Sequence, residues 1–199
     1  MTNVGEKSMI ISILAACGEN NAGDDIMLVT QIRNIRRRFS HCEIVIFTAN
    51  RDNTKQLLQR EGVAFGSLRT IYSGRWGILE PGSQFPKAWL WIFQNAWWIY
   101  KSDLLLLGGG KPISDYLNRF KLLFYVSRLL LAYLLRTPYA IIGIGVGHVT
   151  WFLSKLLVKF IGNRAVFIAV RDKHSMNVFQ ELGVDSNKIV QLTDLSFCE

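Results

Sequence analysis

Acidic residues are nearly missing from the middle of this 199-residue sequence. Between Pro81 and Arg171 there are only Asp103 and Asp115, whereas Lys111 to Arg171 holds nine lysines and arginines. The net charge of +8 and the pI near 9.6 are therefore a local excess. They predict attraction to anions: nucleic acid, acidic lipid surfaces, or phosphorylated and carboxylated small molecules. A solvated basic face is the plainer use of the same charge. Cysteine is scarce as well. Cys17, Cys42 and Cys198 are odd in number and lack metal-like spacing, so they argue against a disulfide framework and for reduced thiols. No apolar run is long enough to span a bilayer. The most membrane-like stretch, LLFYVSRLLLAYLL at 122–135, is interrupted by Arg128 and falls short of the roughly 20 residues a span requires. The first residues, MTNVGEKSM, are polar and show no signal-peptide pattern, which leads to an expected cytoplasmic location. With half its residues hydrophobic and 19% charged, the chain is not generally disordered. No repeat or low-complexity linker breaks it up.

What is present is an alternation of strand-like and helix-like segments. MIISILAA (9–16), EIVIFTA (43–49), SDLLLLGGG (102–110), PYAIIGIGVG (138–147), AVFIAVRD (165–172) and KIVQLTD (188–194) read as strands, with a weaker one near 68–72. Residues 25–38 have helical periodicity, with Ile26, Val29, Ile32 and Ile35 on one face. Further helices are predicted near 53–63, 86–101, 115–136, 149–162 and 174–184, and Trp89, Trp91, Trp97 and Trp98 fall in the second of these. Continuous apolar strands, each followed by a helix, imply a parallel sheet covered on both faces. The predicted fold is α/β: one doubly wound, Rossmann-like domain over 9–199, preceded by a disordered segment 1–8. Ligands of such sheets bind beyond the carboxyl ends of the strands.

The residues just after the strands are accordingly the informative ones. NNAGDD (20–25) offers Asn21, Gly23, Asp24 and Asp25 where a turn and a helix cap need only one carboxylate. GGGKPISD brings Gly108, Gly109 and Gly110, whose bare backbone suits an anion or a sugar hydroxyl, together with Lys111 and the isolated Asp115. A close helix–strand crossing is expected to use one of these glycines but not three. GIGVGHV (143–149) contains Gly143, Gly145 and Gly147. It lacks the later glycine and the downstream acid of a dinucleotide fingerprint. His148 is placed at the start of the next helix, where the dipole would favour neutral imidazole. VRDKHS supplies Arg171, Asp172 and Ser175, and in extended backbone the first two point to opposite faces. QLTDLSFCE adds Asp194 at one more strand end.

In this order NAGDD, DLLLLGGGKPISD, IGIGVG, AVRDKHSMNVFQELGV and LTDLSF resemble the polysaccharide pyruvyl transferase family over nearly the whole chain. Where the family usually has a proline after its G-x-G-x-G turn, this sequence has His148. The resemblance implies the N-terminal half of a two-domain enzyme of the glycosyltransferase-B type, with a C-terminal half expected to complete it. It also implies transfer of the enolpyruvyl carbons of phosphoenolpyruvate onto two hydroxyls of a sugar, as a ketal, in cell-surface polysaccharide synthesis. No cofactor or metal is expected beyond that co-substrate. Asp24 and Asp115 are the candidate general bases. Asn21, Gly23, Gly108, Gly109, Gly110, Lys111, Gly145, Gly147, His148, Arg171, Asp172, Ser175 and Asp194 are the candidate binding residues, with Arg171 and Lys111 suited to carboxylate and phosphate. Expected partners are a sugar or lipid-linked oligosaccharide acceptor, a second half or a second copy of the chain, and peripheral contact with the inner face of a membrane. Nucleic acid is not expected, because the basic residues form no recognised module. The competing reading is an inactive sugar- or nucleotide-binding remnant, or a glycosyltransferase-like domain, at a membrane assembly.

Overall fold

The strands form where the apolar runs are continuous, and they assemble into one sheet. A computed structural model describes residues 8–18, 21–73, 85–116 and 118–192, with side chains in the 85–101 helix described from residue 92 onward. In chain order the elements are β1 (Ile10–Ala15), α1 (Ala22–Arg38), β2 (Glu43–Thr48), α2 (Arg51–Arg60), β3 (Leu68–Tyr72), α3 (Phe85–Lys101), β4 (Leu104–Gly108), α4 (Arg119–Leu134), β5 (Tyr139–Ile144), α5 (Phe152–Arg164), β6 (Ile168–Val170), α6 (Lys173–Glu181) and β7 (Ile189–Gln191). All seven strands are parallel, in the order β3-β2-β1-β4-β5-β6-β7. The chain winds outward from β1 in one direction, then returns to β4 and winds in the other. The crevice between β1 and β4, where Ala15 lies opposite Gly108, is thus the switch point at which ligands of such sheets bind.

Side-chain alternation along the central strands divides the interior in two. Ile11, Ile13, Ile44 and Ile46 pack under Leu28, Val29 and Ile32 of α1 and Leu57 and Leu58 of α2. Leu14, Val45, Phe47, Leu105 and Leu107 pack on the other face against Ile99 of α3, Leu122, Val126 and Leu129 of α4, and Val158 and Ile161 of α5.

Asparagines and an aspartate start the helices. Asn21, Asn50, Asn118 and Asp172 each accept from backbone N–H groups of the first turn of α1, α2, α4 and α6. Four helices begin two or more residues from where the periodicity predicts: α1 at 22 rather than 25, α2 at 51 rather than 53, α4 at 119 rather than 115 and α5 at 152 rather than 149. The first starts at Ala22, so Asn21 is its cap and Asp24 and Asp25 sit in the first turn, where carboxylates complement the helix dipole. The fifth starts at Phe152 rather than 149, which leaves His148 in the preceding loop and removes the helix-dipole argument made for its imidazole.

Candidate active site

The three glycines after β4 lie along α1. A methyl group on Gly108 would stand 2.2 Å from the Gln31 amide, one on Gly109 3.3 Å from Met27 Cβ, and one on Gly110 2.7 Å from Asp24 Oδ1. Positions 24, 27 and 31 recur on one side of a helix, so each glycine makes room for one α1 side chain. The expectation that helix packing could use only one of them is corrected: the helix runs down the loop rather than crossing it once. Gly109 and Gly110 also take left-handed φ values of 73° and 64°, which side chains with a Cβ rarely adopt. The outcome is a carboxylate held against bare backbone at the switch point. Asn21 fixes it further, donating from Nδ2 to Asp24 Oδ2 at 2.8 Å and accepting from Gly23 N–H at 3.2 Å.

Gln31 is 5% exposed, and neither its amide nitrogen nor its oxygen has a hydrogen-bond partner among the described residues. It went unnoticed in the sequence because a glutamine inside an amphipathic helix reads as a surface residue. Asp25, beside Asp24 in the first turn of α1, lies within electrostatic reach of Arg60 on α2. Burial pushes its carboxyl above the ordinary range, and Arg60 pulls it partly back. Cys17, at the end of β1, is fully buried and its thiol is pushed up to about 12 by that burial, so it is not a nucleophile.

The loops after β4 and β5 are zipped together. Gly145 N–H donates to Gly110 carbonyl and Gly147 N–H to Ile113 carbonyl, both at 2.8 Å, around a parallel bridge between Ile113 and Val146. Gly147 makes room for Ser114, whose Oγ lies 2.5 Å from where a Cβ would be, and Gly145 for the Arg171 guanidinium at 2.7 Å. Arg171 is therefore laid across the β5 loop. Its Nε also reaches Asp172 Oδ2 at 3.4 Å. The expectation that these neighbours need not pair is corrected: both lie past the end of β6 at Val170, where the chain turns into α6 with Asp172 as its cap.

Asp172 and the fully buried Ser175 make a clasp. Asp172 Oδ1 accepts from Ser175 N–H and Oγ–H at 2.7 Å each, and Ser175 Oγ accepts from Val146 N–H at 2.8 Å. This ties the start of α6 to the β5 loop that supports Arg171. Burial alone would raise the Asp172 carboxyl, but donation from Ser175 and the adjacent Arg171 outweighs it and lowers the pKa.

Asp115 is placed differently from Asp24. It precedes α4 by several residues and is 7% exposed. Its Oδ1 accepts from Thr150 N–H at 2.8 Å and Thr150 Oγ at 3.0 Å, and its Oδ2 from Trp151 N–H at 2.9 Å. The cap residue of α5, Trp151, offers no side-chain bond of its own, so Asp115 caps that helix from across the loop. Burial opposes ionisation, yet the Thr150 and Trp151 backbone donors, with the Thr150 hydroxyl behind them, bring the pKa below its ordinary value.

Lys111 and His148 are exposed at the rim. The His148 ring lies edge-on to Tyr116 at 6.0 Å and to His174 at 6.1 Å, a cluster built from two loops and the first turn of α6 that no local pattern announces. Asp194 lies outside the described residues, as do residues 1–7 of the predicted disordered segment. Among the described residues no group of three His, Cys, Asp or Glu could hold a metal ion.

The strand-end loops thus carry glycines, one Asn–Asp pair and one arginine at a single crevice, in the order the sequence motifs run. The sequence pattern of polysaccharide pyruvyl transferases matches residues 21–198. The chain belongs to the polysaccharide pyruvyl transferase family. No curated protein matches the sequence. Among solved structures, Anabaena HepE in complex with UDP superposes with a TM-score of 0.61 at 12% identity, covering 94% of this chain and 44% of that one. The HepE complex with UDP-glucose gives 0.58 at 13% identity, with the same coverage. A putative UDP-N-acetylglucosamine 2-epimerase from Listeria monocytogenes gives 0.57 at 11%, covering 92% and 45%. At these identities the likeness is one of fold, that of glycosyltransferase-B-type enzymes. The chain spans less than half the length of those structures.

Proposed function

We propose that the chain supplies one half of a site that transfers the enolpyruvyl unit of phosphoenolpyruvate to a sugar diol. Protonation of the enol CH2 would leave an oxocarbenium-like carbon. One sugar hydroxyl adds to that carbon, phosphate departs with its bridging oxygen, and the second hydroxyl closes the cyclic ketal. The two hydroxyl protons end on the new methyl group and on phosphate. Asp24 is the base this reading selects, because Asp115 has both oxygens engaged in capping α5 and its lowered pKa makes it a weak proton acceptor. Arg171 is the anion-holding group, fixed by the β5 loop on one side and by the Asp172–Ser175 clasp on the other. The single supporting observation is the meeting of Asp24, Gly110, Gly145 and Arg171: Asp24 lies against Gly110, Gly110 is bonded to Gly145, and Gly145 lies beneath Arg171.

The reading is tested by calorimetric titration of phosphoenolpyruvate into the chain and into Arg171→Ala. Loss of a bidentate guanidinium contact should weaken binding by about tenfold or more while leaving the melting temperature nearly unchanged. Equal binding in the two proteins would remove Arg171 from the role, and no heat in either would remove the donor from the site. The nucleotide-sugar alternative takes its support from the UDP and UDP-glucose complexes of HepE. UDP binding without phosphoenolpyruvate binding would favour it.

A further inference from the structure

The outer layer of α3, α4 and α5 has a character that neither the sheet nor the proposed site requires. The helices lie side by side, α4 between the other two, over one shared core. None of the three contains an aspartate or glutamate, whereas Lys101, Arg119, Lys121, Lys155, Lys159 and Arg164 all lie within them. The same layer turns large apolar side chains outward. On α3, Phe93 and Trp97 are 67% and 56% exposed, four residues apart, and the line continues into Tyr100 and Lys101. On α5, Phe152 at 72% exposure is followed at the same spacing by the exposed Leu156 and Phe160, with Lys155 and Lys159 running beside them.

Cations and rings are interleaved. Tyr133 of α4 meets Phe160 of α5 edge-on at 5.3 Å, and the Arg164 guanidinium lies 5.1 and 5.3 Å from the two ring centres. Lys101 Nζ stands 4.9 Å from the Trp97 ring and Arg119 5.6 Å from Trp151. Tyr116, Phe120 and Trp151 are exposed where α4 and α5 begin. The apolar surface thus reaches the glycine loops at the rim of the candidate site.

The charge decides what this face fits. A second copy would bring two acid-free surfaces together. Among the described acids around it, Asp103 accepts from Ile10 N–H at 2.8 Å, Asp115 is held by Thr150 and Trp151, and Asp185 stands past the end of α5, where its N–H donates to Asn163 at 3.0 Å. An anionic polymer would match the cations but not Leu153, Leu156 and Phe152. A phospholipid bilayer matches both, and no described helix is long and apolar enough to cross one. We infer that the α3–α4–α5 face is a docking surface for a bilayer carrying anionic phospholipid. The rings sit at headgroup depth and the lysines and arginines sit on lipid phosphates. This inference is independent of the proposed chemistry.

The experiment is co-sedimentation of the 199-residue chain with vesicles of phosphatidylglycerol mixed with phosphatidylcholine, and with phosphatidylcholine alone, at low and high salt. Expected is association with the anionic vesicles that weakens with salt and little with the neutral ones. Lys155→Glu with Lys159→Glu should lower the partition by about tenfold or more. Phe93→Ser with Trp97→Ser should lower it at unchanged charge. All four residues are exposed, so folding is retained, and circular dichroism checks it. Absence of binding to anionic vesicles, or wild-type binding in both variants, overturns the inference. So does self-association in sedimentation equilibrium that Phe93→Ser with Trp97→Ser abolishes in a chain indifferent to vesicles, because the face would then belong to a second copy.

Discussion

Asp115 shows how far one side chain can be drawn from the role its neighbourhood suggests. It sits beside a glycine loop in a region almost without acids, which is what a base for a diol would look like in sequence. In the structure it holds two backbone N–H groups of the α5 entrance and the Thr150 hydroxyl. Asp115→Ala would leave those donors without an acceptor in a nearly buried place, at a cost of about 2–3 kcal/mol, readable as a lowered urea midpoint. The pH dependence has a definite sign. The folded pKa lies below the ordinary 3.8, so this carboxylate's contribution is present above that value and is lost as pH falls through the folded pKa. The wild type should therefore lose more stability than Asp115→Ala on acidification below about pH 4. Parallel acid unfolding curves for the two proteins would show that Asp115 is not a helix clamp.

At the scale of elements, the packing of α1 against the end of β4 is the feature on which the site depends. Gly108 faces a glutamine amide that is buried and has no hydrogen-bond partner among the described residues. A Cβ there cannot be placed without moving Gln31, so Gly108→Ala should destabilise by about 1–3 kcal/mol through overpacking. The double change Gly108→Ala with Gln31→Ala should recover much of that loss, since it removes both the clash and the unsatisfied amide. Thermal unfolding of the two singles and the double gives the coupling directly. Additive losses would mean that the glycine serves its backbone alone. This contact also marks where reading the sequence stops. The strands were legible because IISILA, EIVIFT and LLLLG are mostly apolar runs, and the strand-end rule led to loops that the sheet brings together beyond β1, β4 and β5. The purpose of the glycines was not legible, because it depends on residues 24 to 31 lying along residues 108 to 110, a relation set by sheet order and invisible in any local window. The same holds for Ser175, whose bond to Val146 spans 29 positions.

For the whole molecule, the point that matters is that Asp24, Gly110, Gly145 and Arg171 meet at one end of one sheet. Asn21, Lys111 and His148 beside them are exposed, and the solved glycosyltransferase-B-type structures that share the fold are more than twice as long as the aligned region. An oxocarbenium-like carbon reacts with the nearest nucleophile, and in an open crevice that nucleophile is water. Ketal formation needs water kept out for as long as two hydroxyls take to add in turn. Phosphoenolpyruvate offered with a sugar acceptor to the 199-residue chain alone should thus give no ketal, even where calorimetry detects binding. Any phosphate released should appear with free pyruvate in equal amount. Proton NMR of the mixture separates the cases, because the ketal methyl resonates apart from that of pyruvate. A ketal methyl signal growing with time, and missing from Asp24→Asn, would mean instead that one sheet with its loops shields the reaction by itself.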